Sequence, residues 1–129
     1  MNYPVICLKP EDPVIYWFAN ENSLNTADKE LTEKGVFNHV SIIDSKGECY
    51  TIKKVNIIGW ATLFWGYSIK KPGRSVRIKF DLEDNGSISL EQMKEKLSDR
   101  IDRSRFTQEE IELKFTKASS IAQVVNFFK

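Results

Sequence analysis

Hydrophobic and polar positions alternate most cleanly from Ser75 to Leu82, where Val76, Ile78 and Phe80 are separated by Arg77 and Lys79. A period of two marks a strand with one face buried. Val5-Ile6-Cys7-Leu8 is a short apolar run closed by Pro10, and Val14 to Phe18 is a second β-rich run after Pro13. They predict two strands joined by the turn Lys9 to Pro13. Val40 to Ile43, then Asp44-Ser45-Lys46-Gly47, then Cys49 to Ile58 predict a hairpin. Its second limb changes phase at Lys53-Lys54, where Tyr50 and Ile52 give way to Val55 and Ile57, so a β-bulge is expected there. Thr62 to Ile69 predicts another strand, interrupted by Gly66, and Lys71-Pro72-Gly73-Arg74 a turn.

In the last third the period becomes helical. Leu90, Met93, Leu97 and Ile101 form the apolar stripe of one helix. Ser89-x-x-Gln92, Thr107-x-x-Glu110 and Ser120-x-x-Gln123 are capping boxes, in which a hydroxyl and an amide or carboxyl satisfy free N–H groups at a helix start. The last two predict short helices, one through Ile111 to Phe115 and one carrying Val124, Val125 and Phe128. An early helix is expected over Ala27–Lys34, capped by Asn25 or Thr26, with Gly35 just past its end. Its thin apolar face, Ala27 and Leu31, places it on the surface. Hairpin connections dominate and βαβ alternation is missing. The expected fold is therefore α+β: a mainly antiparallel sheet of about five to six strands, with the C-terminal helices packed on one face.

The chain has 129 residues, enough for one domain with an ordinary hydrophobic core, and no linker or repeat divides it. Hydrophobic content of 41% against 29% charged residues is that of a globular chain, not a disordered one. No apolar run reaches membrane-spanning length, and the N-terminus lacks the basic and apolar regions of a signal peptide. Cys7 and Cys49 are too few for a disulfide framework and do not form a CxxC pair. The expected setting is the reducing cytoplasm, with both thiols packed as small hydrophobes.

Asp81 to Gln92 nearly spells a calcium-binding EF-hand loop. Asp81, Glu83, Asn85, Gly86, Ser87 and Ser89 fall at ligand or turn positions. The twelfth position, where a Glu should give two carboxylate oxygens, is Gln92. An EF-hand also needs a helix before the loop, and here the strand pattern ends in Phe80. The expectation is instead a strand, a tight turn at Asn85-Gly86 and a helix capped by Ser89 and Gln92. No metal site and no cofactor are expected.

Charge is unevenly spread. Residues 1–48 are net −4, residues 49–80 carry seven basic groups and no acid, and residues 81–129 are net −2. The basic block includes Lys53, Lys54, Arg77 and Lys79. Where charges alternate with Val76, Ile78 and Phe80, the solvent face of an amphipathic strand accounts for them. Catalytic motifs are missing: there is no Walker loop, GxGxxG, GxSxG or HExxH. The sharpest enzymatic idea is a Cys49–His39 pair. With a two-residue turn at Ser45-Lys46, Cys49 would face Ile42, and roughly 10 Å of strand would separate it from His39, on opposite faces. The expectation is no enzyme.

Trp60 to Tyr67 is dense in aromatics, including Trp60, Trp65 and Tyr67. Such residues pack a core, anchor a protein interface, or stack on single-stranded nucleic acid when basic groups lie near. Near-neutral total charge disfavours the last reading.

The hairpin turning on Asp44-Ser45-Lys46-Gly47, then Phe64-Trp65-Gly66-Tyr67, then Val76 to Glu83 running into Ile88-Ser89-Leu90-Glu91-Gln92, resembles small bacterial immunity proteins of contact-dependent or polymorphic toxin systems. The resemblance covers roughly residues 40–100. It implies a cytoplasmic protein without activity of its own, which binds one toxin domain and blocks it. Partner-binding candidates are Trp60, Trp65 and Tyr67 together with the helix acids Glu91, Glu95, Asp99 and Asp102. The alternatives are a single-stranded nucleic-acid binder using Trp65, Tyr67, Arg77 and Lys79, and a small enzyme with Cys49 as nucleophile.

Overall fold

A computed structural model describes residues 1–60 and 75–129. Among the described residues, six strands form one antiparallel sheet: β1 (Val5–Leu8), β2 (Ile15–Phe18), β3 (Thr26–Asp28), β4 (Ser41–Asp44), β5 (Glu48–Trp60) and β6 (Ser75–Ser87), in the order β2-β1-β4-β5-β6-β3. The helices are α1 (Glu21–Leu24), α2 (Lys29–Glu33), α3 (Leu90–Ser98), α4 (Gln108–Glu110) and α5 (Ile121–Phe127), with a π-helical segment over Ile111–Thr116 between the last two. The fold is α+β, as the pattern of periods predicts.

Both faces of the sheet centre are buried, which explains the unbroken apolar run of β1. Ile6, Leu8, Ile15 and Ile43 face the C-terminal helices and pack with Met93, Leu97, Ile111, Phe115, Val124 and Val125. Val5, Cys7, Ile42 and Ile52 face the other way and pack with Leu24, Val40 and Phe37 from the 20–40 region. That second layer is not foreseen by the sequence pattern. Phe106, Phe115, Phe127 and Phe128 close the first core, with neighbouring ring centroids 4.4–6.3 Å apart.

Two caps are present as expected. Ser89 Oγ accepts from Gln92 N–H, and Gln92 Oε1 accepts from Ser89 N–H at 3.0 Å. Thr107 and Glu110 do the same at α4. At α5 only half the box forms: Ser120 Oγ accepts from Gln123 N–H, while Gln123 Oε1 takes the N–H of Ser119. Replacing Ser89 by Ala should cost about 1 kcal/mol, read as a lower midpoint in chemical denaturation with an unchanged slope.

Three expectations need correction. The early helix starts at Lys29, because Thr26, Ala27 and Asp28 pair with Arg77, Val76 and Ser75 as an edge strand, and Asp28 becomes the cap. Its exposed position is as expected, with Leu31 52% exposed. Asn85-Gly86 does not reverse the chain: β6 runs through it to Ser87. Between the pairs Glu48↔Ser87 and Tyr50↔Asp84 the β6 side holds one extra residue, so the positive φ of Gly86 serves a bulge. Finally, Cys49 lies opposite Ile43, not Ile42. The bulge predicted at Lys53-Lys54 is present, since Ile52 pairs with Leu82 and Lys54 with Asp81. Thr62 to Ile69 and Lys71 to Arg74 lie outside the described residues.

The hairpin turn after β4 is a structural node. Asp44 is fully buried. Its Oδ2 accepts from Asn2 N–H and Asn2 Nδ2, and its Oδ1 from the N–H groups of Lys46 and Glu48, at 2.9–3.1 Å. Gly47, at φ +85°, donates to Asp44 O and accepts from Ile88 N–H. A Cβ at Gly47 would come within 2.7 Å of both Ile88 O and Ile121 Cδ1. The turn thereby ties the N-terminus and the entry to α3 to one loop.

Candidate acidic interface

The expected acidic site is built on α3. Met93 and Leu97 are fully buried on its inner side, so the 3.6-residue period turns Glu91, Glu95 and Asp99 outward within an arc of about 80°. All three are exposed and make no ion pair among the described residues. Glu91 also sits in the first turn, where a negative charge favours the helix N-terminus. Lys94 Nζ donates to Thr116 O and Ala118 O at 2.8 and 2.7 Å, fastening α3 to the end of the π-helical segment.

Beyond the helix, Asp102 is both exposed and structural. Its Oδ1 accepts from Ser104 Oγ at 2.6 Å and from Ser104 N–H at 2.9 Å, and these bonds hold its pKa below the ordinary carboxylate value. Arg100 Nη1 donates to Asp12 O at 2.8 Å, which brings the β1–β2 turn against the end of α3. Asp12 in turn accepts from Val14 N–H and from Tyr16 OH, which lowers the Asp12 pKa and raises that of Tyr16. Between these elements lies an open concavity of about 410 Å³, lined by Val14, Ile15 and Phe106 and rimmed by charges of both signs, Asp99 and Asp102 with Arg100, Arg103 and Arg105. Val14 is 49% exposed. An apolar patch rimmed by charge is the anatomy of a protein-binding surface.

Glu91, Glu95 and Asp99 thus share the outer face of α3, and Asp102 lines the same concavity as Asp99. Trp60 is not brought to them: it ends β5 opposite Val76, eleven residues along from Cys49, which sits beside Gln92 and Lys96. Trp65 and Tyr67 lie outside the described residues. The contribution of Val14 and Arg100 was missed in the sequence, because it depends on the β1–β2 turn docking against residues nearly ninety positions away.

The basic block looks different in space than along the chain. The β5–β6 register places Glu83 against Lys53, at 2.6 Å, and Asp81 opposite Lys54. Arg77 and Lys79 are exposed and alternate with buried Val76 and Ile78, the pattern of an amphipathic strand. Both the acids and the alternation weaken a nucleic-acid reading for the described part of this face.

The Cys49 environment does not favour a nucleophile. Burial raises its thiol pKa against the pull of Lys96, and a raised pKa depletes the reactive thiolate. Burial pushes the Cys7 thiol up to about 12. His39 has φ 60° and lies before β4, outside the strand ladder. Among the described residues no three His, Cys, Asp or Glu side chains are grouped to hold a metal ion. In the EF-hand-like stretch, Gln92 is committed to the cap, Asp84 Oδ1 accepts from Gly86 N–H, and Asn85 Nδ2 donates to Thr51 Oγ1. Among the described residues no helix is long and apolar enough to cross a membrane.

No protein-family model, curated protein or solved structure matches the chain.

Proposed function

We propose that this chain is a non-catalytic protein-binding protein of the immunity type, which occupies and neutralises one cognate bacterial toxin domain in the cytoplasm of the producing cell. The observation that carries the binding role is the exposed acidic stripe Glu91, Glu95 and Asp99, continuing into a concavity with half-exposed Val14. The acidic stripe on α3 steers a basic partner, such as a basic toxin domain, and the concavity beside it, whose rim carries both aspartates and arginines, offers apolar contact at Val14. The resemblance of residues 40–100 to immunity proteins supports this choice of partner class.

The test is co-expression with the product of an adjacent large toxin gene. The two proteins should co-purify, and cells making the toxin should survive only with this chain. Failure of both would sink the proposal. Replacing Cys49 by Ser should leave that protection intact, whereas loss of protection by a stably folded Cys49→Ser variant would favour a catalytic thiol.

A further inference from the structure

β3 pairs with β6 only over Ser75–Arg77, and just beyond this Asn25 O accepts from Ile78 N–H at 2.8 Å. The opposite edge of β6 is taken by β5 along its length. From Lys79 onward no described strand lies on the outer edge of β6. Since Ile78 turns its N–H outward, the period of two turns the N–H and C=O groups of Phe80 and Leu82 to the same open edge. Lys79 and residues 81–87 are exposed. An open strand edge is a template for a further strand, and charges along it restrict which strand it accepts.

The restriction here has a direction. Lys79, Asp81 and Glu83 share one face and run from positive to negative. A strand with the same sequence laid antiparallel presents the reverse order. We infer that the β6 edge is a self-association surface, on which two copies of this chain pair antiparallel through Lys79–Glu83 about a two-fold axis at Asp81. Lys79 of each copy then lies opposite Glu83 of the other, where Glu83 keeps Lys53 of its own chain at 2.6 Å and gains a second cation, and Phe80 lies opposite Leu82, covering a side chain that is 37% exposed in one copy. The two Asp81 residues meet on the axis, where each has Lys54 of its own chain across the ladder and Lys79 of the other copy on the diagonal.

Neighbouring registers fit worse. Centring on Leu82 sets Asp81 against Glu83 twice. Centring on Phe80 drives Glu83 onto the position opposite Arg77, which Thr26 already occupies. The bound Asn25 and the bulge at Gly86 limit the new ladder to five residues a side. That is small beside the roughly 1,200–2,000 Å² of a stable interface, so the association is weak and reversible.

Sedimentation equilibrium of the full chain over a wide concentration range tests this. The wild type should show a reversible monomer–dimer equilibrium. Lys79→Glu and Glu83→Lys should each weaken it at least tenfold, and in a Lys53→Ala background, which removes the Lys53–Glu83 ion pair, the double swap Lys79→Glu/Glu83→Lys should restore it to within about threefold of Lys53→Ala alone, since attraction across the axis is re-formed with signs exchanged. Circular dichroism confirms that each variant is folded. A wild type that stays monomeric, single reversals without effect, or a double swap that does not recover would each overturn the inference. Protection of the 79–83 amides only when a toxin domain is added would assign the edge to that partner instead, and would overturn it as well.

Discussion

Replacing Asp44 by Ala should lower stability by roughly 3 kcal/mol, with a fall in melting temperature of about 10 °C. The carboxylate is fully buried and collects four N–H bonds, two from Asn2 and one each from Lys46 and Glu48. Removing it leaves those donors without an acceptor at the turn that joins the N-terminus, β4, β5 and the entry to α3. Asp44→Asn should rescue only part of the loss, because its remaining oxygen keeps one pair of bonds while its amide NH₂ faces the donors of the other pair. Burial alone would raise the Asp44 pKa, but the bonds from Asn2, Glu48 and Lys46 outweigh it and hold the value below normal. The sign follows: a depressed folded pKa contributes stability that is complete above the unfolded value near ~3.9, and that is lost as pH falls through the folded value. The wild type should therefore lose stability in acid below about pH 4, and Asp44→Ala should show a flatter acid limb. Thermal melts of both proteins across pH 2–7 check this; parallel acid limbs would contradict it.

The second large effect concerns binding. The double reversal Glu91→Lys/Glu95→Lys should slow association with the toxin domain by roughly ten- to a hundredfold at low salt, and the deficit should shrink as salt is added. Both side chains are exposed, so the fold should tolerate the change, with only a few tenths of a kcal/mol lost from the Glu91 interaction with the α3 N-terminus. Stopped-flow association at several ionic strengths is the measurement. Unchanged rates would remove α3 from the interface. Asp102 is a poorer choice for reversal, because it also orders the loop through Ser104.

Features set by neighbouring residues were legible in the sequence. The caps at Ser89 and Thr107, the β1–β2 pair, the phase change at Lys53-Lys54 and the α3 stripe all depend on spacing within one element or between elements adjacent in the chain. What the sequence hid is non-local. Thr26 to Asp28 have helix-start chemistry, yet a partner strand fifty residues later claims their backbone. Asn85-Gly86 supplies a positive φ, and a hairpin turn and a bulge need the same residue; only the continuing β5 ladder decides between them. The basic block holds no acid along the chain, and its partners Glu83 and Asp81 lie just past its end, so only the β5–β6 register brings them to Lys53 and Lys54. Of the candidate site, the acidic stripe followed from the helical period, whereas the concavity beside Val14 required the Arg100 to Asp12 contact.

The most direct test of the proposed binding role is a titration of the purified chain with the toxin domain of an adjacent toxin gene, followed by assay of the toxin's activity in the mixture. A saturable one-to-one complex in which toxin activity falls in step with occupancy, and in which Glu91→Lys/Glu95→Lys binds more slowly, is the predicted result. No complex at micromolar concentrations, or full toxin activity at saturation, would contradict it.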